Sequence, residues 1–177
     1  MQKVNFILLD AAKMEGNLYE AIQRNNDQAS LYRGTSEEEL ADVAPYLFKL
    51  ESGSDFEKWY KENGWGNGWG IPIYSTFKFE ETYHHFRKFL LVKTEDGEQL
   101  YFRFYDPRVL RIFLPTCDEK QLKEFFGPVH HFICEDEDPE FALVFSFEKN
   151  VLKTERIPST SLFETGEQKN QGRKFFV

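Results

Sequence analysis

The sequence predicts an α/β domain, and three observations carry that expectation. Short apolar runs, some strictly alternating, are interspersed with segments whose apolar residues recur at three- and four-residue spacing. Glycines, prolines and capping residues fall between the two kinds of segment. Strand pairs joined by hairpin-type turns occur as well, so the sheet is expected to be mixed, with helices on its flanks. At 177 residues the chain suits a single domain. A body at residues 1–149 is expected, followed by a short, polar, weakly structured tail at 150–177.

The elements follow in order. Val4 to Leu9 is a short, nearly continuous apolar run and reads as a buried strand. A helix is expected over Asn17 to Arg24, with Leu18, Ala21 and Ile22 on one face. Ser30 to Arg33 reads as a short strand ending at Gly34. Thr35 and Ser36 each precede a Glu by three residues, the spacing of a capping box. The helix they open must be short, because Pro45 interrupts it and Tyr46 to Leu50 looks extended. Ser54 with Glu57 repeats the capping pattern, opening a helix that carries Phe56, Trp59 and Tyr60 and stops at Gly64.

Gly64 to Gly70 then places four glycines and two tryptophans in seven residues, a composition that favours a loop over a helix. That loop leads into a strand at Ile71 to Phe77. Phe79, Tyr83, Phe86 and Leu90 share one helical face. Phe89 to Lys93 and Leu100 to Tyr105 read as two strands joined by a turn at Glu95 to Glu98. Asp106-Pro107 is a helix start, since Asp caps free N–H groups and Pro is tolerated in the first turn. Val109, Leu110, Phe113 and Leu114 supply that helix's apolar face up to Pro115. A further helix runs from Asp118, with Leu122, Phe125 and Phe126, to Gly127-Pro128. Strands at Val129 to Cys134 and Phe141 to Phe147 flank an acidic loop. In the second, Phe141, Leu143, Phe145 and Phe147 face one way. From Asn150 the chain turns polar, although Phe175-Phe176-Val177 has the character to dock on the body.

Composition limits the function. The formal charge is −8, from 22 Lys and Arg against 30 Asp and Glu. Residues 150–177 carry +2, so the body carries −10, a balance that repels nucleic acid and anionic lipid. No apolar stretch approaches the ~18 residues of a membrane span, and no signal-type cleavage region follows the N-terminus. Two cysteines make no disulfide framework. A cytoplasmic protein that binds neither nucleic acid nor membrane is expected.

No constellation points to chemistry. His84-His85 and His130-His131 are adjacent pairs, whose side chains diverge on either a helix or a strand, so neither pair readily serves one metal. Cys117 and Cys134 lack flanking residues that would activate a nucleophile. Neither a phosphate-binding glycine loop nor a serine elbow occurs. The expectation is no catalytic residue, no metal and no cofactor. Arg103, Asp106 and Arg108 gather where a strand meets a capped helix. They either hold the fold together or form a polar recognition spot. Trp65 and Trp69 either cover an end of the core or anchor a partner.

The run Leu100-Tyr101-Phe102-Arg103-Phe104-Tyr105-Asp106-Pro107-Arg108-Val109-Leu110, with Gln121-Leu122 and Gly127-Pro128-Val129, resembles the core motif of the type VI secretion adaptors. These are also called effector chaperones, and their shared domain was long catalogued as of unknown function. Matches upstream keep the same order: Leu8-Leu9-Asp10-Ala11-Ala12 with Leu18-Tyr19, Leu31-Tyr32-Arg33-Gly34, Val43-Ala44-Pro45-Tyr46-Leu47, Trp69-Gly70-Ile71 and His85-Phe86-Arg87-Lys88. The resemblance spans Val4 to Val129. It implies a non-enzymatic adaptor that binds an effector and helps load it onto the VgrG spike. The expected partner is the effector's N-terminal segment, the VgrG spike protein, or both. Many relatives carry a larger helix-rich C-terminal part, where this chain has a strand and a polar tail. Trp65, Trp69, Arg103, Asp106 and Arg108 are the expected partner-binding residues. Two alternatives stand beside the adaptor: an immunity-type protein that neutralises a toxin, and a small enzyme using a cysteine and a histidine.

Overall fold

The computed structural model describes residues 3–93 and 96–162. Its central strand is β1 (Phe6–Asp10), the first apolar run, buried along its whole length. Two antiparallel neighbours enclose it, β3 (Pro45–Lys49) and β4 (Gly70–Ser75). Beyond them lie β2 (Gln28–Ser30) on one side and β7 (Val129–Glu135), β8 (Phe141–Glu148) and β9 (Val151–Pro158) on the other. Among the described residues these seven strands form one sheet in the order β2-β3-β1-β4-β7-β8-β9.

Every pairing in that sheet is antiparallel, where a mixed sheet was expected. The physical reason lies with β1. Both β3 and β4 run antiparallel to it, so they are parallel to one another and are joined through α2 (Asp55–Asn63). The β-α-β unit that the alternation of elements predicts is therefore present, but β1 occupies the space between its strands.

Helices cover both faces. Phe6, Ile73, Phe132 and Phe145 stand opposite one another across four strands and so share a face. On it lie α3 (Phe79–Arg87) and α5 (Glu119–Phe126), through the ring pairs Phe6–Phe79, Phe86–Phe132 and Phe125–Phe132. The other face presents Phe48, which stacks on Phe56 of α2 at 5.0 Å. There Arg24 of α1 (Leu18–Arg24) lies over the Trp59 ring. In β8, Ala142 and Val144 are buried as well as Phe145, because the side turned away from the phenylalanines is also covered.

Caps form where the residue spacing places them. The Ser54 hydroxyl accepts from the Glu57 N–H at 3.1 Å. Asp118 and Gln121 make the reciprocal box at the start of α5. The Thr35–Ser36 segment opens only a 3-10 turn, Glu38–Val43, kinked at Leu40. Gly70 is forced by space: a Cβ there would overlap the Leu8 carbonyl of the adjoining strand.

The stretch after residue 149 departs from expectation. Val151–Pro158 is an eight-residue strand paired with β8 along its full length, and a 3-10 turn, Ser159–Leu162, follows. Its polar character reflects an edge position, where most of its side chains meet water. The proposed docking of Phe175, Phe176 and Val177 lies outside the described residues.

Candidate partner-binding site

Asp106 stands before α4 (Pro107–Phe113) and caps it, its Oδ1 accepting from the Arg108 N–H at 3.0 Å. The same carboxylate receives the Arg108 guanidinium as a fork, Nε to Oδ1 at 3.0 Å and Nη2 to Oδ2 at 2.6 Å. Burial works against the ionised form of Asp106. The hydrogen bonds from Arg108 outweigh it and hold the carboxyl below the usual carboxylate range. Arg103 pairs instead with Asp10, which is 1% exposed and also caps the turn after β1 by accepting from the Ala12 N–H. Arg103 and Asp106 thus have their charges satisfied within the fold, while Arg108 is exposed to solvent.

The expected strand to Tyr105 breaks early. A two-stranded ribbon forms from β5 (Leu91–Lys93) and β6 (Gln99–Tyr101), and it stops at Tyr101. Phe104 and Tyr105 are both buried, which two consecutive residues of a one-sided strand would not be. A turn closed by Asp106 N–H to the Arg103 carbonyl at 3.0 Å turns the chain inward. Burial, with Tyr32 and Asp10 nearby, pushes the Tyr105 phenol well up.

The glycine-tryptophan loop divides its two rings. Trp69 is 6% exposed and meets Trp59 at 5.4 Å, so it belongs to the core and is no surface anchor. Its place just before β4, beside the central strand, brings it inside. Trp65 is half-buried, and its indole N–H donates to the Pro139 carbonyl at 2.8 Å. Gly66 and Gly68 take positive φ, which lets the loop fold back over the acidic segment that follows β7.

Two features that are far apart in sequence therefore meet. Gly66, Asn67 and Gly68 form one wall of a cleft of about 380 Å³, and Pro107, Arg108 and Arg111 form another. Glu135, Asp136 and Glu137 complete it, with Lys13 at the margin. Glu135 is buried and accepts from the Gly68 N–H, while Arg111 donates to its backbone carbonyl at 2.9 Å. Burial pushes the Glu135 carboxyl up to about 7, against the pull of the Gly68 and Gly66 N–H groups and of Arg111.

A second surface was missed from sequence. Phe89, Phe102, Phe113 and Phe125 line a groove of about 770 Å³, with Lys88, Lys93, Gln121 and Glu124 at its edges. The rings interlock, Phe102 on Phe113 at 4.6 Å and Phe113 on Phe125 at 5.3 Å. Val92 of β5 extends the lining, and Leu100 stands opposite it on β6 with 49% of its surface exposed. Leu91 and Tyr101, on the other side of the ribbon, are also exposed, and the Tyr101 hydroxyl donates to Glu37 at 3.1 Å. No local signal marked it: the pattern reads as longer strands, Phe89 to Lys93 and Leu100 to Tyr105, where the structure keeps only three residues of each.

The thiols and imidazoles are dispersed. Burial, with Asp118 nearby, pushes the half-buried Cys117 thiol up to about 11, and its Sγ lies 3.4 Å from the Phe113 carbonyl. Cys134 is fully buried, which raises its thiol further. His84 is exposed, whereas His85 is buried, bonded to the Phe125 carbonyl at 2.8 Å, with its pKa lowered by burial. Among the described residues no three His, Cys, Asp or Glu side chains are grouped to hold a metal ion. Nor is any helix among them long and apolar enough to cross a membrane.

A family model described as a domain of unknown function, DUF4123, matches residues 5–124. No curated protein and no solved structure matches the chain.

Proposed function

The chain belongs to the DUF4123 family, a domain of unknown function, and we propose that it works as a cytoplasmic, non-catalytic adaptor that binds a type VI secretion effector and helps load it onto the VgrG spike. The matched span takes in the ordered series of motifs that resembles those adaptors as far as Gln121-Leu122.

The observation that carries the reading is the aromatic groove beside the exposed β5-β6 ribbon. Apolar side chains such as Val92 and Leu100, held out next to a groove floored by phenylalanines, are the mark of a surface that binds another protein. An amphipathic segment laid in the groove would bury its apolar face there and leave its polar face in water. The effector's N-terminal segment is the proposed occupant. Lys88, Lys93 and Glu124, which line the groove beside the rings, would bias its direction by charge. The cleft between Arg108 and the Gly66–Gly68 loop is a smaller, polar second contact, open to the spike protein.

Deleting the gene in its host should abolish delivery of the effector encoded beside it while leaving other effectors unaffected. Unchanged delivery would sink the proposal. Protection of toxin-expressing cells that lack any secretion machine would mark a toxin-neutralising protein instead.

A further inference from the structure

Among the described residues, β9 is the last strand of the sheet and pairs on one side only, with β8. Lys149 and Asn150 both take positive φ, the two-residue turn that joins β8 to β9. Such a turn makes Glu148 and Val151 a hydrogen-bonded pair, and that fixes the phase of the ladder. The amides of Val151, Lys153, Glu155 and Ile157 then point at β8. Those of Leu152, Thr154 and Arg156 point outward from the sheet, and among the described residues no strand lies beyond them.

We propose that a second copy of this chain pairs with this edge, antiparallel, about a two-fold axis through Thr154, so that two sheets join into one. The register follows from charge. With the axis at Thr154, Lys153 stands opposite Glu155 of the second copy, and the reverse pair is made at the same time. Val151 likewise meets Ile157 of the second copy on the same face. Thr154 and its counterpart exchange main-chain hydrogen bonds, and so do Leu152 and Arg156, using the outward amides. Moving the axis one residue either way sets Lys153 against its own copy or Glu155 against its own copy, and directly opposed like charges are unfavourable. The edge carries no bulge and no proline before Pro158. Its one charge on the phenylalanine side, Arg156, is held over the Phe141 ring and paired with Asp136. The pair Lys153–Glu148 at 2.5 Å lies on the exposed surface and competes little.

A single strand edge is a small interface, so the dimer should dissociate in roughly the micromolar range. Sedimentation velocity on the full chain should show the 21.0 kDa species giving way to twice that mass as concentration rises. Lys153→Glu or Glu155→Lys alone should weaken the dimer about tenfold or more, and the two together should restore it. Thr154→Cys should form a disulfide-linked dimer on mild oxidation, because that hydrogen-bonded pair brings the Cα atoms to ~5.5 Å. Thermal melts of each variant verify that folding is intact. A chain that stays monomeric at every concentration would overturn the proposal. So would a dimer indifferent to both single charge reversals, or one in which the thiol introduced by Thr154→Cys stays reduced. An edge that pairs only once an effector is added would assign it to that partner and not to a second copy.

Discussion

At the residue scale the buried acids matter most. Glu135 has its carboxyl pushed up from 4.5 to about 7, so the folded state holds a proton that the unfolded state has lost across that interval. Stability therefore falls as the pH rises from about 4.5 to about 7 and is level above it, by ~3 kcal/mol in all. Glu135→Gln keeps an acceptor for the Gly68 N–H and removes the titration. Its unfolding free energy should exceed the parent's by up to ~3 kcal/mol at pH 8 and match it near pH 4, as denaturant titrations at both pH values will show. His85 titrates in both proteins. Its lowered pKa means that stability is lost as the pH falls through that value, and the comparison cancels this. Asp10→Ala should cost about 2 to 3 kcal/mol, since it strands the half-exposed Arg103 and uncaps the turn after β1. A loss below about 0.5 kcal/mol in the same titration would make that pair a surface ornament. Asp106 as a cap was legible in the sequence because Asp-Pro has one local meaning at a helix start. Trp69 as core was not, because its burial depends on Trp59 arriving from another element.

Elements were legible where one local signal sufficed. The capped helices α2, α4 and α5 form within a residue of where Ser54, Asp106 and Asp118 place them. The β6 strand ended earlier than its alternation implied, because Phe102, Phe104 and Phe113 collapse onto Phe125 and not onto a sheet. The β9 strand was read as tail because an exposed edge lacks the apolar alternation that identifies a strand. Within α5, Phe125 is 2% exposed and touches Phe89, Phe104 and Phe132. Phe125→Ala should therefore destabilise by ~3 to 5 kcal/mol through the cavity it leaves, which a shift in the denaturation midpoint at constant slope will register. An unchanged midpoint would mean that α5 is not docked as described.

On the scale of the whole molecule, the heavy aromatic content sorts into two populations. Most of it, from Phe48 and Phe56 on one face to Phe86, Phe126 and Phe132 on the other, closes the core around an antiparallel sheet. A minority lines the groove beside β5 and β6, and this is where the account places its partner. Strand order lay beyond the reach of the sequence, since inserting β1 between β3 and β4 is a long-range choice that no local pattern encodes. The groove was illegible for the same reason, being assembled from four separate stretches of chain. The most direct measurement is co-purification of the chain, co-expressed with the effector encoded beside it, against the double variant Val92→Asp, Leu100→Asp. Both substituted side chains lie on the exposed ribbon, so the variant should melt within a few degrees of the parent. The parent should retain the effector and the variant should lose it by at least about tenfold, the factor that ~1.4 kcal/mol of lost apolar contact gives. Equal retention by a folded variant would contradict it.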